Sequence, residues 1–287
     1  MTTHDFDHDP DIYAAFDADL PGGSTRTGSL LKALRKYLPA VAIFVAGLAL
    51  WELAVNVFSI ESFLLPKPSV ILSTLRDEFS VIWSAGLNTF KEALGGFAIG
   101  SVAGVSLALS TSRWAGVREG VMPFAIAANS TPIIALAPIM NIWFGITDPV
   151  AKMAVVAVIV FFPVMINTVR GLTDVDASEL ELMRSYAATP SQTARRVRLP
   201  NALPYLFSAL KVGSALSVIA AIVAEYFGGP RDALGVYISQ QAALFHLAEA
   251  WAAIVVGTVL GVAFYATILV VERLVMPWHI SLRSSEN

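Results

Sequence analysis

The sequence predicts an all-α integral membrane protein with six spanning helices, and three observations carry that expectation. Hydrophobic residues make up 56% of the 287 and charged residues 14%, with a mean hydropathy of +0.66. Soluble domains hold about 45–50% apolar and about 25% charged residues, so the main solvent of this chain is lipid. Six stretches approach the ~20 apolar residues that a spanning helix needs: Pro39–Phe58, Leu87–Leu109, Val121–Phe144, Pro149–Val169, Leu203–Ala224 and Trp251–Val271. Lys and Arg are unevenly divided between the connecting segments. With six spans, only Lys67, Arg76, Lys91, Lys152 and Arg231 fall on one side, and the rest of the 19 fall on the other. The excess marks the cytoplasmic side and puts both termini there.

The remaining elements follow in chain order. Residues 1–36 read as a cytoplasmic tail, acidic and disordered at first and then basic. Asp5, Asp7, Asp9, Asp11, Asp17 and Asp19 begin it, unlike the basic-then-apolar start of a cleaved secretory signal. Residues 37–280 form the membrane domain, and 281–287 a short cytoplasmic tail. After Pro68, the stretch Ser69–Trp83 places Val70, Ile71, Leu75, Phe79 and Ile82 at helical spacing, as an interfacial amphipathic helix does. In the second span, Gly96, Gly100 and Gly104 share one helix face and admit a neighbouring backbone. Pro123, Pro132 and Pro138 mark the third span as kinked. Gly228, Gly229 and Pro230 break the chain after the fifth span, and Ala233–Glu249 reads as partly helical on the outer face.

The cytoplasmic loop at 171–204 is too structured to be slack. Asp176 with Glu179, or Ser178 with Glu181, has capping-box spacing at a helix start. Thr189-Pro190-Ser191-Gln192 supplies a second start, with Thr as N-cap and Pro at the first helical position. Two short helices result, joined near Ala187–Ala188, and Leu199-Pro200 is expected to end the second.

At this loop the sequence resembles the permease subunits of bacterial ABC importers, whose signature runs EAA, three residues, Gly, nine residues, Ile-x-Leu-Pro. Glu181 stands at the Glu place, and Val197, Leu199 and Pro200 stand at the Ile, Leu and Pro places without a gap. Leu182 and Met183 replace the alanines, and Ala187 replaces the glycine, which argues against a left-handed turn there. Thr131-Pro132, Ala135, Pro138, Trp143-Phe144-Gly145, Phe162-Pro163, Asn167-Thr168, Gly171, Ala224-Glu225 and Trp278-His279 are similar to the nitrate/sulfonate/taurine-type branch, which also includes pyrimidine-precursor and riboflavin importers. The resemblance implies a type I importer fold and an ATPase-coupling loop carried by Glu181, Ala187, Arg195, Arg196, Val197, Leu199 and Pro200. It implies two copies of an ATPase subunit, an external solute-binding protein and a second permease copy as partners.

No cofactor is expected in this chain. The nearest string to a phosphate loop, Gly23–Ser29, lacks the lysine and any strand before it, so ATP-Mg belongs to the partner ATPase. The absence of cysteine excludes disulfides and thiolate metal sites, and nothing suggests nucleic acid as a partner. A membrane enzyme would need a nucleophile with its base or a metal cluster, and His4, His8, His246 and His279 lie outside span centres. A secondary transporter often shows an internal repeat, and none is visible. Polar residues in spans face the bundle interior. Asn129, Ser130, Thr131, Asn141, Asn167, Ser214 and Ser217 are therefore candidates either for lining the pathway or for bonds between helices. Glu225 closes the fifth span where it gates the pathway or orients a docking partner. Glu52 and Glu92 are expected to reach interfacial water, and Lys211 to snorkel to the cytoplasmic surface. For the solute, Glu225-Tyr226-Phe227-Gly228-Gly229 with Leu234-Gly235 resembles the heterocycle-importing members of that branch, which implies a nitrogen heterocycle rather than nitrate, taurine or another sulfonate.

Overall fold

The computed structural model describes residues 26–111 and 133–277, with Gly120, Pro123, Ala125 and Ala127 between them. The expectations for the acidic tail, for most of the third span and for the chain after Pro277 lie outside the described residues. The chain divides into two compact units, one to Ser59 and one from Ile60.

The first unit contributes helix α1 (Arg26–Val57), whose Leu38–Val57 part is long and apolar enough to cross a membrane. The second contains α2 (Pro68–Asp77), α3 (Phe79–Thr111), a 3-10 turn (Ile133–Leu136), α4 (Ala137–Phe144) and α5 (Pro149–Thr173). After these come α6 (Ala177–Ser185), α7 (Pro190–Thr193), a π-turn (Ala194–Arg198), α8 (Leu199–Tyr226), α9 (Leu234–Ala243) and α10 (Leu247–Val275). Among the described residues, five helices meet the length and hydropathy of a membrane span, where the sequence led to an expectation of six. The described part of the third stretch is Pro123, Ala125 and Ala127, the 3-10 turn and the two-turn α4.

The glycines of α3 meet α5. A Cβ on Gly96 would lie 2.6 Å from the Met153 carbonyl oxygen, on Gly100 2.4 Å from that of Ala157, and on Gly104 2.9 Å from that of Phe161. Only the hydrogen side chain allows so close an approach, and successive turns of α3 each use it. Around this seam, Ala93 and Phe97 of α3, Val156, Val160 and Val164 of α5, Val218 and Ala221 of α8 and Phe264 of α10 form a core cluster. The Phe264 ring meets Phe90 and Phe97 edge-on, with centroids 5.4 and 4.9 Å away.

The expected amphipathic helix at Ser69–Trp83 is two elements. Helix α2 ends at Asp77, its cap closed by the Glu78 amide donating to the Thr74 carbonyl at 2.9 Å, and Phe79–Trp83 opens α3. Apolar spacing persists through a single-residue break between two helices, so the pattern alone does not show it. Ala233–Glu249 is partly helical, as expected, through α9 and the start of α10.

Candidate functional site

The loop after α5 is held by local chemistry at each corner. Asp176 caps α6, its Oδ1 accepting from the Ser178 amide at 2.9 Å and from the Ser178 hydroxyl at 2.8 Å. Those two donors hold the Asp176 carboxyl below the usual carboxylate range. Helix α6 closes in a Schellman motif: the Ala187 amide donates to the Arg184 carbonyl at 2.9 Å and the Ala188 amide to that of Met183 at 3.0 Å. Ala187 has φ 50°, so the left-handed turn that the missing glycine argued against is present. Its cost is offset by these two bonds and by the next cap. Thr189 and Gln192 form a reciprocal capping box, with the Thr189 amide donating to Gln192 Oε1 at 2.8 Å and the Gln192 amide to Thr189 Oγ1 at 3.3 Å.

Leu199-Pro200 does not end this second helix. The chain runs helical from Pro190 to Tyr226. A proline inside a helix lacks the amide hydrogen and crowds the carbonyl one turn back. The π-turn over Ala194–Arg198, in which the Leu199 amide reaches back to the Ala194 carbonyl, widens the helix where Pro200 needs room.

The loop is tied to the bundle by residues that the sequence did not single out. Asn201 Nδ2 donates at 2.8 Å to the carbonyls of both Gly171 and Asp174, and the Tyr205 hydroxyl donates to Asp174 Oδ2 at 2.8 Å. Gly171 lets α5 touch α8, since a Cβ there would lie 2.6 Å from the Ala202 Cα. Outward from this anchor, Glu181, Arg195 and Arg196 are exposed, and Val197 and Pro200 are half-buried. Leu182 and Tyr186, one helical turn apart on α6, are 55% and 76% exposed, and Leu199 is 39% exposed. A cleft of about 730 Å³ beside the loop is lined by Arg184, Arg195 and Arg198, among others.

Lys211, expected to snorkel, is paired instead: its Nζ lies 2.8 Å from one Glu272 carboxylate oxygen and 3.0 Å from the other, joining α8 to α10. The buried hydroxyls of Ser214 and Ser217 donate to the carbonyls of Lys211 and Ser214, and the Asn167 amide donates to the Pro163 carbonyl. All three side chains therefore satisfy carbonyls of their own helices. Asn129, Ser130 and Thr131 lie outside the described residues.

At the end of the bundle opposite the loop, a polar cluster is sealed off. Glu92, Lys152 and Glu225 are each at most 4% exposed. Glu92, expected to reach water, is inside. Lys152, counted with the connecting segments, lies in the first turn of α5 and is fully buried. Its Nζ donates to Asn141 Oδ1 at 3.2 Å and to the Ile146 carbonyl, while Asn141 Nδ2 donates to the Phe227 carbonyl at 3.2 Å. Glu225 Oε2 accepts from the Gly235 amide at 2.6 Å and from the Thr89 hydroxyl at 3.1 Å. Thr89 Oγ1 in turn accepts from the Leu234 amide at 2.8 Å. The Glu225 carboxylate thus serves the start of α9 and is not presented to a docking partner. The polar residue types were visible in the sequence. Their burial was not: Lys152 and Glu225 lie in the terminal turns of α5 and α8, and Glu92 lies inside α3 near the start of its apolar run.

A sequence model described as the binding-protein-dependent transport system inner membrane component matches residues 96–278. The formylaminopyrimidine transport permease protein ThiX of Halalkalibacterium halodurans is 28% identical over 249 residues, covering 86% of this chain and 98% of that protein. The riboflavin transport system permease protein RibX of Chloroflexus aurantiacus is 28% identical over 263 residues, covering 90% and 97%. Matches extend to permeases named for aliphatic sulfonate and taurine transport. A crystal structure of an amino acid ABC transporter with histidines shares the fold at a TM-score of 0.57 and 19% identity, over 71% of this chain and 97% of that one.

Proposed function

The chain belongs to the binding-protein-dependent transport inner-membrane components, and on that footing we propose that it forms the translocation pathway of an ABC importer whose ATPase is a separate subunit. It is a multi-pass inner-membrane permease subunit of the nitrate/sulfonate/taurine branch. Six spans place both termini and the 171–204 loop in the cytoplasm. Two copies of the chain pair, each offering one loop to one of two ATPase subunits, and an external binding protein delivers the solute. ATP-Mg is held by the ATPase and no cofactor by this chain. The solute is a nitrogen heterocycle of the riboflavin or thiamine-precursor pyrimidine class, in keeping with the names of two relatives that match nearly end to end.

The observation that carries the coupling reading is the loop itself. Helix α6 is capped at both ends and presents Glu181, Leu182 and Tyr186 outward. An exposed carboxylate flanked by a leucine and a tyrosine is poor solvent surface and good docking surface. The Asn201 and Tyr205 bonds pass any displacement of α6 to α5 and α8. The test is reconstitution of the permease with its ATPase in lipid vesicles. Hydrolysis is expected to rise when the binding protein is added with its solute. An ATPase that neither co-purifies with the permease nor changes its rate in its presence rules the assignment out.

A further inference from the structure

Three ionisable side chains sit inside the bundle with charges that do not balance. Glu92 on α3, Lys152 on α5 and Glu225 on α8 are 4%, 0% and 1% exposed. Lys152 brings one positive charge; the buried carboxyls of Glu92 and Glu225 and the exposed one of Asp148 face it, and the exposed Asp232 faces Glu92. Buried charges persist when they are paired and hydrogen-bonded, and an unpaired one is strongly destabilising.

The hydrogen bonds distinguish the two carboxyls. Glu225 Oε2 takes the Gly235 amide and the Thr89 hydroxyl. Glu225 Oε1 and Glu92 Oε2 are buried and receive no donor from any amide or side chain. Glu92 lies one turn beyond Thr89, the residue that donates to Glu225, so its carboxyl meets that of Glu225. Two acceptor-only oxygens in contact repel, whereas a carboxylic acid donating to a carboxylate satisfies both.

We propose that Glu92 is held as the carboxylic acid and donates its hydrogen to Glu225, so that Lys152, Glu225 and Glu92 form a charge-neutral cluster with one bound proton. The cluster locks one end of the bundle. Through Lys152 and Asn141 it holds the carbonyls of Ile146 and Phe227, and through Glu225 and Thr89 it holds the amides of Leu234 and Gly235. The connection between α4 and α5, the connection between α8 and α9, and the helices α3, α5 and α8 therefore move as one body at this end. Backbone contacts require the small residues there: a Cβ on Gly235 would lie 2.2 Å from the Ile222 carbonyl oxygen and 2.7 Å from Glu225 Oε2.

The test compares isosteres in the reconstituted importer. E92Q keeps a hydrogen donor and removes no charge, so transport within about twofold of the parent is expected, as for a tolerated replacement. E225Q and K152M each leave an uncompensated buried charge, and a loss of about tenfold or more is expected for both. The double variant K152M/E225Q restores neutrality and is expected to fold better than K152M alone. Infrared spectra with labelled glutamate are expected to show the carbonyl stretch of a protonated carboxyl in the parent and its loss in E92Q. That band does not depend on the importer reading: its presence with no transport in the parent rejects the permease assignment and leaves the cluster standing. E92Q as damaging as E225Q overturns the proposal, and so does a parent protein without the band.

Discussion

Lys211 of α8 and Glu272 of α10 are joined by an ion pair of 2.8 Å, the two side chains 20% and 10% exposed. An exposed pair contributes about 0.2–1 kcal/mol, and breaking a fully buried one costs about 3–5 kcal/mol. Partial exposure sets this pair between those limits. Lys211→Met or Glu272→Gln alone is expected to destabilise by about 1–3 kcal/mol, because each leaves a charge in a poorly hydrated place. The double variant is expected to recover most of the loss, as measured by thermal melting in detergent. Additive losses in the double variant count against a coupled pair.

Glu181 tests the docking surface. If α6 docks on the ATPase as proposed, Glu181→Lys leaves the spans untouched and turns attraction into repulsion there. Truncating one partner of a buried interfacial pair costs about 2–5 kcal/mol, enough to lower affinity by more than tenfold. The variant is expected to insert and melt as the parent does while its ATPase is lost on purification. Full retention of the ATPase with normal transport removes α6 from the coupling path.

The seam between α3 and α5 gives a paired prediction. Gly100→Ala places a methyl group 2.4 Å from the Ala157 carbonyl oxygen, so the helices must part. A cost of about 1–3 kcal/mol is expected, as for overpacking. Gly213→Ala meets nothing closer than 3.4 Å, at Val160 Cγ1, so it gains helix propensity without a clash. Melting temperatures that fall equally in both variants contradict this account of the seam.

Ala187 pays for a left-handed backbone at φ 50°. Ala187→Gly relieves about 1 kcal/mol of that strain. Slower hydrogen exchange is expected at the Ala187 and Ala188 amides, which close the motif. Faster exchange at both amides shows that the turn is not the strained element.

Local chemistry made the loop legible. The caps depend on residues two or three positions apart: of the two starts open for the first helix, Asp176 is the cap and Ser178 is not, and Thr189 caps the second as expected. The glycine face of α3 was also legible, although nothing in its spacing said that α5 would cover it. What the pattern hid was tertiary. Asn201 reaches Asp174 across 27 positions, and Glu225 meets Thr89 across 136. Leu199-Pro200 misled because a proline usually stops a helix, and the widened turn that absorbs it is set by i to i−5 bonding, which composition does not reveal.

The helical run from Pro190 to Tyr226 has 37 residues. At ~1.5 Å per residue it is about 55 Å long, well beyond the ~30 Å of a bilayer's hydrocarbon core. One end is exposed at Pro190, Ser191 and Gln192, while the other carries Glu225 into the sealed cluster. If the loop couples to the ATPase as proposed, such a run acts as a push-rod with a single widened turn near its Pro190 end. On the proposed coupling, a twist applied at Pro190 has no loop in which to dissipate, so it arrives at Glu225 as torque on the Glu92–Lys152–Glu225 cluster.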